Sequence, residues 1–201
     1  LAPDDEAAFA QTPFFFSLRA QFHQAQGDLR AARADLERAV ALAPQDAGLK
    51  TALLWLLVES KDTARLRKAL FDTAREAETE RELWGVHASG WSVLRQTRRA
   101  LVFFSRLARD KPQDYLWLMG YADALEQDGQ AGAASRVRRH AWRVVRATLA
   151  REAAGGGAFD GAPDPALREI AVRLALSLAP ADAALAVVRD VVRRDFAPDA
   201  A

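Results

Sequence analysis

Residues 81–114 read RELWGVHASGWSVLRQTRRALVFFSRLARDKPQD. Within them Trp84, Ala88, Trp91, Ala100, Phe104 and Leu107 fall at helical spacing, and Pro112 follows. Small residues at 88 and 100 let two helices approach closely, while the large apolar residues fill the gaps beside that contact. Pro112 stops the second helix. The stretch therefore reads as one antiparallel helix pair. The same residue types occur 68 positions upstream: Phe16 maps to Trp84, Ala20 to Ala88, Ala32 to Ala100, Leu36 to Phe104, Ala39 to Leu107 and Pro44 to Pro112. A step of 34 downstream takes Ala88 to Ala122, Ala100 to Ala134 and Leu107 to Ala141.

A period of 34, with 68 as its double, resembles the tetratricopeptide repeat. The fold class expected is all-α: a tetratricopeptide-repeat right-handed superhelix, an α-solenoid of antiparallel helix pairs. Four repeats are expected at 13–46, 47–80, 81–114 and 115–153, preceded at 1–12 by a helix end and connector. Gly27 and Gly129 fall at the turns of the first and fourth pairs, where φ > 0 is often needed. In the first helix of repeat one, Leu18 and Phe22 fit the packing positions better than Arg19 and His23, so a one-residue phase shift is expected there. Repeat two is degenerate: Leu54 and Leu66 stand at small-residue positions and Glu78 at the proline position. Its apolar run Leu53 to Val58 leaves two readings open, a helix buried on several sides or a groove into which Trp55 protrudes. The last helix of repeat four runs on to about Ala153. Residues 154–165, rich in Gly and Pro, read as a linker. Residues 166–201 read as a divergent fifth helix pair.

Half the residues are hydrophobic, enough for a substantial core. Lys+Arg 28 against Asp+Glu 27 gives a net charge of +1, which excludes a global field for nucleic acid or an anionic membrane. No nucleic-acid partner is expected. There is no Cys, which excludes disulfides and thiolate chemistry and leaves cytosol and periplasm both open. The chain opens Leu1-Ala2-Pro3-Asp4-Asp5, and we read it as a piece of a longer protein. No apolar run approaches about 20 residues, the length of a membrane-spanning helix.

The three histidines, His23, His87 and His140, are not spaced as metal ligands, and His87 falls at a packing position. No nucleophile elbow or dinucleotide loop is present, and Gly155-Gly156-Gly157 lacks the Lys-Ser/Thr of a phosphate loop. No catalytic residue, cofactor or metal is expected, and the chain is expected not to be an enzyme.

On the 34-residue frame the first helices line the concave face with Gln21, Gln24, Trp55, Glu59, Ser89, Ser92, Asp123 and Glu126, a polar and mildly acidic groove. It lacks the Lys, Arg and Asn of a carboxylate clamp, having Ser17, Gln21, Ala52, Glu82 and Val86 at those places. Two basic groups stand out. Arg95, Arg98 and Arg99 lie at the turn of repeat three. Arg136, Arg139, Arg143 and Arg146 form a candidate docking patch on the last helix of repeat four, beside Arg138, whose stem is expected to be half buried. Such a patch would suit an acidic protein face or a polyanion, and a solvated helix surface is the alternative.

The string Tyr121-Ala122-Asp123-Ala124-Leu125-Glu126-Gln127-Asp128-Gly129, then Ala133 to Ala141 with Arg138-Arg139-His140, is more specific than the repeat. With Leu54-Trp55-Leu56-Leu57-Val58-Glu59-Ser60 it resembles the periplasmic repeat region of the PelB family, the outer-membrane exporters of the Pel exopolysaccharide, over about Phe14 to Arg146. The resemblance implies a periplasmic scaffold joined to an outer-membrane β-barrel. It would recruit the enzyme that deacetylates and hydrolyses the polymer and help guide polymer to the pore. A partly deacetylated amino-sugar polymer is cationic, so Asp123, Glu126 and Glu59 become candidate contacts. The other function class is a tetratricopeptide-repeat protein-interaction adaptor in the cytosol.

Overall fold

The computed structural model describes residues 9–153, 165–178 and 184–189. The start of the expected N-terminal connector (1–8), most of the expected linker (154–164) and the flanks of the last expected helix (179–183 and 190–201) lie outside the described residues. Every regular element among the described residues is helical: α1 Pro13–Ala25, α2 Leu29–Leu42, α3 Ala47–Glu59, α4 Thr63–Asp72, α5 Glu82–Val93, α6 Thr97–Asp110, α7 Tyr115–Gln127, α8 Ala131–Ala153 and α9 Pro165–Leu178. Residues 184–189 are also helical.

Local chemistry sets the helix starts. Thr12, Asp28, Asp46, Asp62 and Asp114 each accept a hydrogen bond at their side chain from a backbone N–H in the first turn of α1, α2, α3, α4 and α7, which satisfies a donor the helix itself leaves unpaired. The turns repeat as faithfully as the core. Positive φ occurs at Gly27 (78°), Lys61 (55°), Arg95 (57°) and Gly129 (80°), each 34 residues from the next. At each, the chain reverses between the two helices of a pair through one residue in the left-handed region. The second and third pairs make this turn without glycine.

The chain divides into two compact units, Leu1–Arg106 and Leu107–Ala201. In the first, Phe16, Ala20, Ala32, Leu36 and Ala39 are all buried. Ala20, Ala32 and Leu36 form one cluster with Leu56 of α3, and Phe16 and Ala39 form another with Leu49. The expected phase shift in α1 is overturned. Leu18 and Phe22 are 52% and 59% exposed, whereas Arg19 and His23 occupy the packing side as polar partners of one carboxylate. Asp35, buried in α2, accepts from Arg19 Nε at 2.7 Å and Nη2 at 2.5 Å, and His23 Nε2 lies 3.7 Å away. A two-pronged arginine–carboxylate contact fixes the register where an apolar pair would have served.

In the Leu53 to Val58 run Leu54, Leu56 and Leu57 are almost fully buried, as in a helix buried on several sides, while Trp55 between them is 39% exposed. Leu66 of α4 takes the place of a small residue, beside Leu70 at a large-residue position, both fully buried, because the facing α5 supplies Gly90. A Cβ on Gly90 would stand 2.9 Å from Leu70 Cδ1 and 3.4 Å from Leu66 Cδ1. Bulk is moved across the interface, and the helices still meet closely. α4 stops at Asp72, and a 3₁₀ turn at Glu76–Glu78 covers the stretch where the repeat would carry proline.

In the second unit, Leu118 and Met119 of α7, Ala141, Val144 and Val145 of α8, and Leu167, Ile170, Ala171 and Leu174 of α9 form one buried cluster. Each large aliphatic side chain here contributes roughly 1.5–3 kcal/mol by leaving water. α8 extends to Ala153, and the turns beyond residue 141 give α9 a surface to pack on.

Candidate interaction surfaces

The residues expected to line a groove divide between the two units. In the first, Gln21 is exposed, Gln24 is half-buried, and Gln24 Nε2 donates to Glu59 Oε2 at 3.5 Å, joining α1 to α3. Trp55 and Glu59 are exposed on the same helix. Ser89 and Ser92 of α5 are half-buried, and the Ser92 hydroxyl donates to the Ala88 carbonyl at 2.9 Å. The surface offers amide, indole and carboxylate groups.

In the second unit Asp123 and Glu126 are not free carboxylates. Arg138 Nη2 donates to Asp123 Oδ1 at 3.1 Å and to Glu126 Oε2. Arg173 Nη2 of α9 donates to Asp123 Oδ2 at 2.7 Å. Hydrogen bonding and charge from Arg138 hold the Glu126 carboxyl below its usual range, and Glu126 raises Arg138 in return. The side chain of Arg138 is only 17% exposed, its stem lying along the pair. This role as a counter-ion was not assigned from the sequence. A signal existed: Asp123 and Arg138 stand on either side of the Gly129 turn, as Arg19 and Asp35 stand on either side of Gly27. An antiparallel pair brings such positions opposite one another.

On the other side of α8 the arginines are differently placed. Arg136, Arg139 and Arg143 are exposed and, with the half-buried Trp142, line a concavity of about 470 Å³. The Arg146 guanidinium lies over the Trp142 ring, 5.9 Å from its centroid, a cation–π contact. No carboxylate among the described residues pairs with Arg136, Arg139 or Arg143, and α8 contains no Asp or Glu before Glu152. Of the basic residues at the turn of repeat three, Arg99 lies over both Phe71 and Trp91, at 4.7 and 4.8 Å, and Arg95 is exposed at the turn itself.

A second concavity, about 580 Å³, was not anticipated from the sequence. It is lined by Leu29, Arg30, Arg33, Ser60, Asp62 and Arg65. Asp62 accepts from Arg65 Nη1 at 2.8 Å and from Arg33 Nη1 at 3.4 Å. Hydrogen bonds from Arg65 hold its carboxyl below the usual range. The Asp62 carboxylate thus balances part of the positive charge.

His87 is fully buried, its Nε2 2.9 Å from Thr73 Oγ1 and its ring against Phe103. Thr73 Oγ1 also donates to the Ala69 carbonyl at 2.8 Å, so its lone pair accepts from Nε2–H. Nδ1 is left as an acceptor without a partner. No group of three His, Cys, Asp or Glu side chains among the described residues could hold a metal ion. No helix among them is long and apolar enough to cross a membrane.

A family model described as tetratricopeptide repeat matches residues 2–147. Among solved structures, the MamA RS-1 ArsTM double mutant is similar with a TM-score of 0.66 at 12% identity, over 94% of this chain and 97% of that one. A thermophilic tetratricopeptide-repeat protein of Thermus thermophilus gives 0.61 at 16% identity, over 94% and 93%. PilF of Pseudomonas aeruginosa gives 0.65 at 14% identity, over 94% and 78%. At these identities the likeness is one of fold. No curated protein sequence matches the chain.

Proposed function

The chain belongs to the tetratricopeptide-repeat family, and from that premise we propose that it is a non-catalytic scaffold that docks a partner protein in the periplasmic part of an exopolysaccharide export machine. The family's stacked helix pairs present surface for protein–protein interaction. The observation that carries docking is the asymmetry of charge in the second unit. The acids Asp123 and Glu126 are neutralised by Arg138 and Arg173, while Arg136, Arg139 and Arg143 are left without counter-ions among the described residues. Recruitment is therefore the main role. Guidance of a cationic polymer is a lesser one, because polymer must displace arginine from Asp123 and Glu126, leaving Glu59 the more accessible carboxylate.

The export setting, the periplasmic location and the partner, a polysaccharide deacetylase/hydrolase, rest on the resemblance of residues 121–141 and 54–60 to Pel-type exporters. The test is capture of that enzyme by the purified 201-residue chain, beside titration with a cationic glucosamine oligosaccharide. Capture without amide shifts at Glu59, Asp123 and Glu126 would leave protein docking alone. No capture by the chain would sink the exporter reading and favour a cytosolic adaptor.

A further inference from the structure

The exposed face of α8 gathers three arginines around one concavity. Arg19, Arg33, Arg65, Arg138 and Arg173 all meet a carboxylate, whereas Arg136, Arg139 and Arg143 meet none among the described residues. They stand at i, i+3 and i+7, so they project from one side of the helix and span about 10 Å along it. Like charges at this spacing repel, which costs the isolated protein stability. Trp142, half-buried between them, gives the cationic face an apolar floor, and the four side chains bound a single concavity of about 470 Å³.

We infer that the Arg136–Arg139–Trp142–Arg143 face of α8 is the docking site for an acidic helical segment of a partner protein. Such a segment would present carboxylates at the same helical spacing and one aromatic or aliphatic side chain to Trp142. The inference deepens the scaffold reading and rests on it. Paired helices with matched spacing allow two or three arginine–carboxylate contacts at once, and arginine's planar fork suits carboxylate recognition. A nucleic acid fits less well. Three phosphate contacts release few counterions, the chain's net charge is only +1, and one half-buried tryptophan makes no stacking track for successive bases.

The test measures fluorescence anisotropy of a labelled helical peptide, roughly four turns long, carrying Glu at i, i+3 and i+7 and one Phe, added to the full chain. Binding is expected to weaken with rising salt and to vanish when the peptide's Glu residues become Gln. The triple variant Arg136→Gln/Arg139→Gln/Arg143→Gln should bind at least about tenfold more weakly, the size expected when close charge pairs are lost. It should also melt no lower than the parent, because repulsion is relieved and no counter-ion is orphaned. Trp142→Ala should weaken binding severalfold and leave the salt dependence intact. Arg67→Gln, on exposed α4 surface, should change nothing.

Equal affinity of parent and triple variant would overturn the site. So would tighter binding of a single-stranded oligonucleotide of the same charge, or no peptide binding up to about 100 µM. If the deacetylase is captured equally by parent and triple variant, the scaffold reading stands and this site is refuted.

Discussion

His87 has no exposed surface, and burial pushes its imidazole down to about 4. In the unfolded chain the ring titrates near 6.5. Between those values the unfolded state takes up a proton that the folded state refuses, so stability is intact above about pH 6.5 and falls as the pH drops toward 4. A loss of about 2–3 kcal/mol between pH 7 and 4.5 is expected from this residue. Urea melts of the parent and of His87→Leu should show that slope in the parent and a flatter one in the variant. Arg95 makes the opposite kind of prediction. Its φ of 57° is a conformation that glycine adopts freely and other residues adopt at a cost of about 1–2 kcal/mol. Arg95→Gly should therefore raise stability by roughly 0.5–1 kcal/mol once glycine's greater unfolded entropy is subtracted, read as a higher denaturation midpoint at unchanged slope. Gly27 and Gly129 mark their turns openly in the sequence. Lys61 and Arg95 do not, and only the 34-residue frame points to them.

At the scale of the element, the contact of α4 with α5 shows how a degenerate repeat is repaired. Helix propensity alone says that Gly90→Ala should gain about 1 kcal/mol. The added methyl would press on Leu70, which is fully buried and has no exposed space to retreat into. We expect no net gain from Gly90→Ala and a loss of about 1–3 kcal/mol from Gly90→Val by overpacking. In Leu70→Ala the sign should turn, with Gly90→Val recovering part of the stability lost. A double-mutant cycle measures that coupling directly, and additive effects would show that the two side chains do not compete for one space. Leu66 reads from the sequence as degeneracy, because period arithmetic compares a position with its own equivalents. The compensating glycine lies on a different helix.

For the whole molecule, the organisation into repeats that contact their neighbours makes damage local. Leu174 of α9 is fully buried in the cluster with α7 and α8. Leu174→Ala should cost about 2–5 kcal/mol, and amide exchange should accelerate in α7, α8 and α9 while α1 to α3 keep their protection. Acceleration spread evenly over every helix would show one cooperative block instead.

The sequence by itself determined the helix pairs, their period of 34 residues, the buried small residues at 20, 32, 88, 100, 122 and 134, and the family. These are repeated local patterns, and repetition makes them legible in one chain. Tertiary structure alone decided which charges are spent. Asp123, Glu126 and Arg138 look on the frame like groove acids and a packing residue. They become one network because the pair folds back on Gly129 and α9 brings Arg173 to the same carboxylate. Arg19 and His23, at apolar positions of the frame, meet Asp35 by the same reversal. Arg136, Arg139 and Arg143 remain uncompensated among the described residues for a reason no frame contains. Electrostatic pairing depends on which side chains arrive opposite one another across a few ångströms, and that distance is set by packing, not by position along the chain.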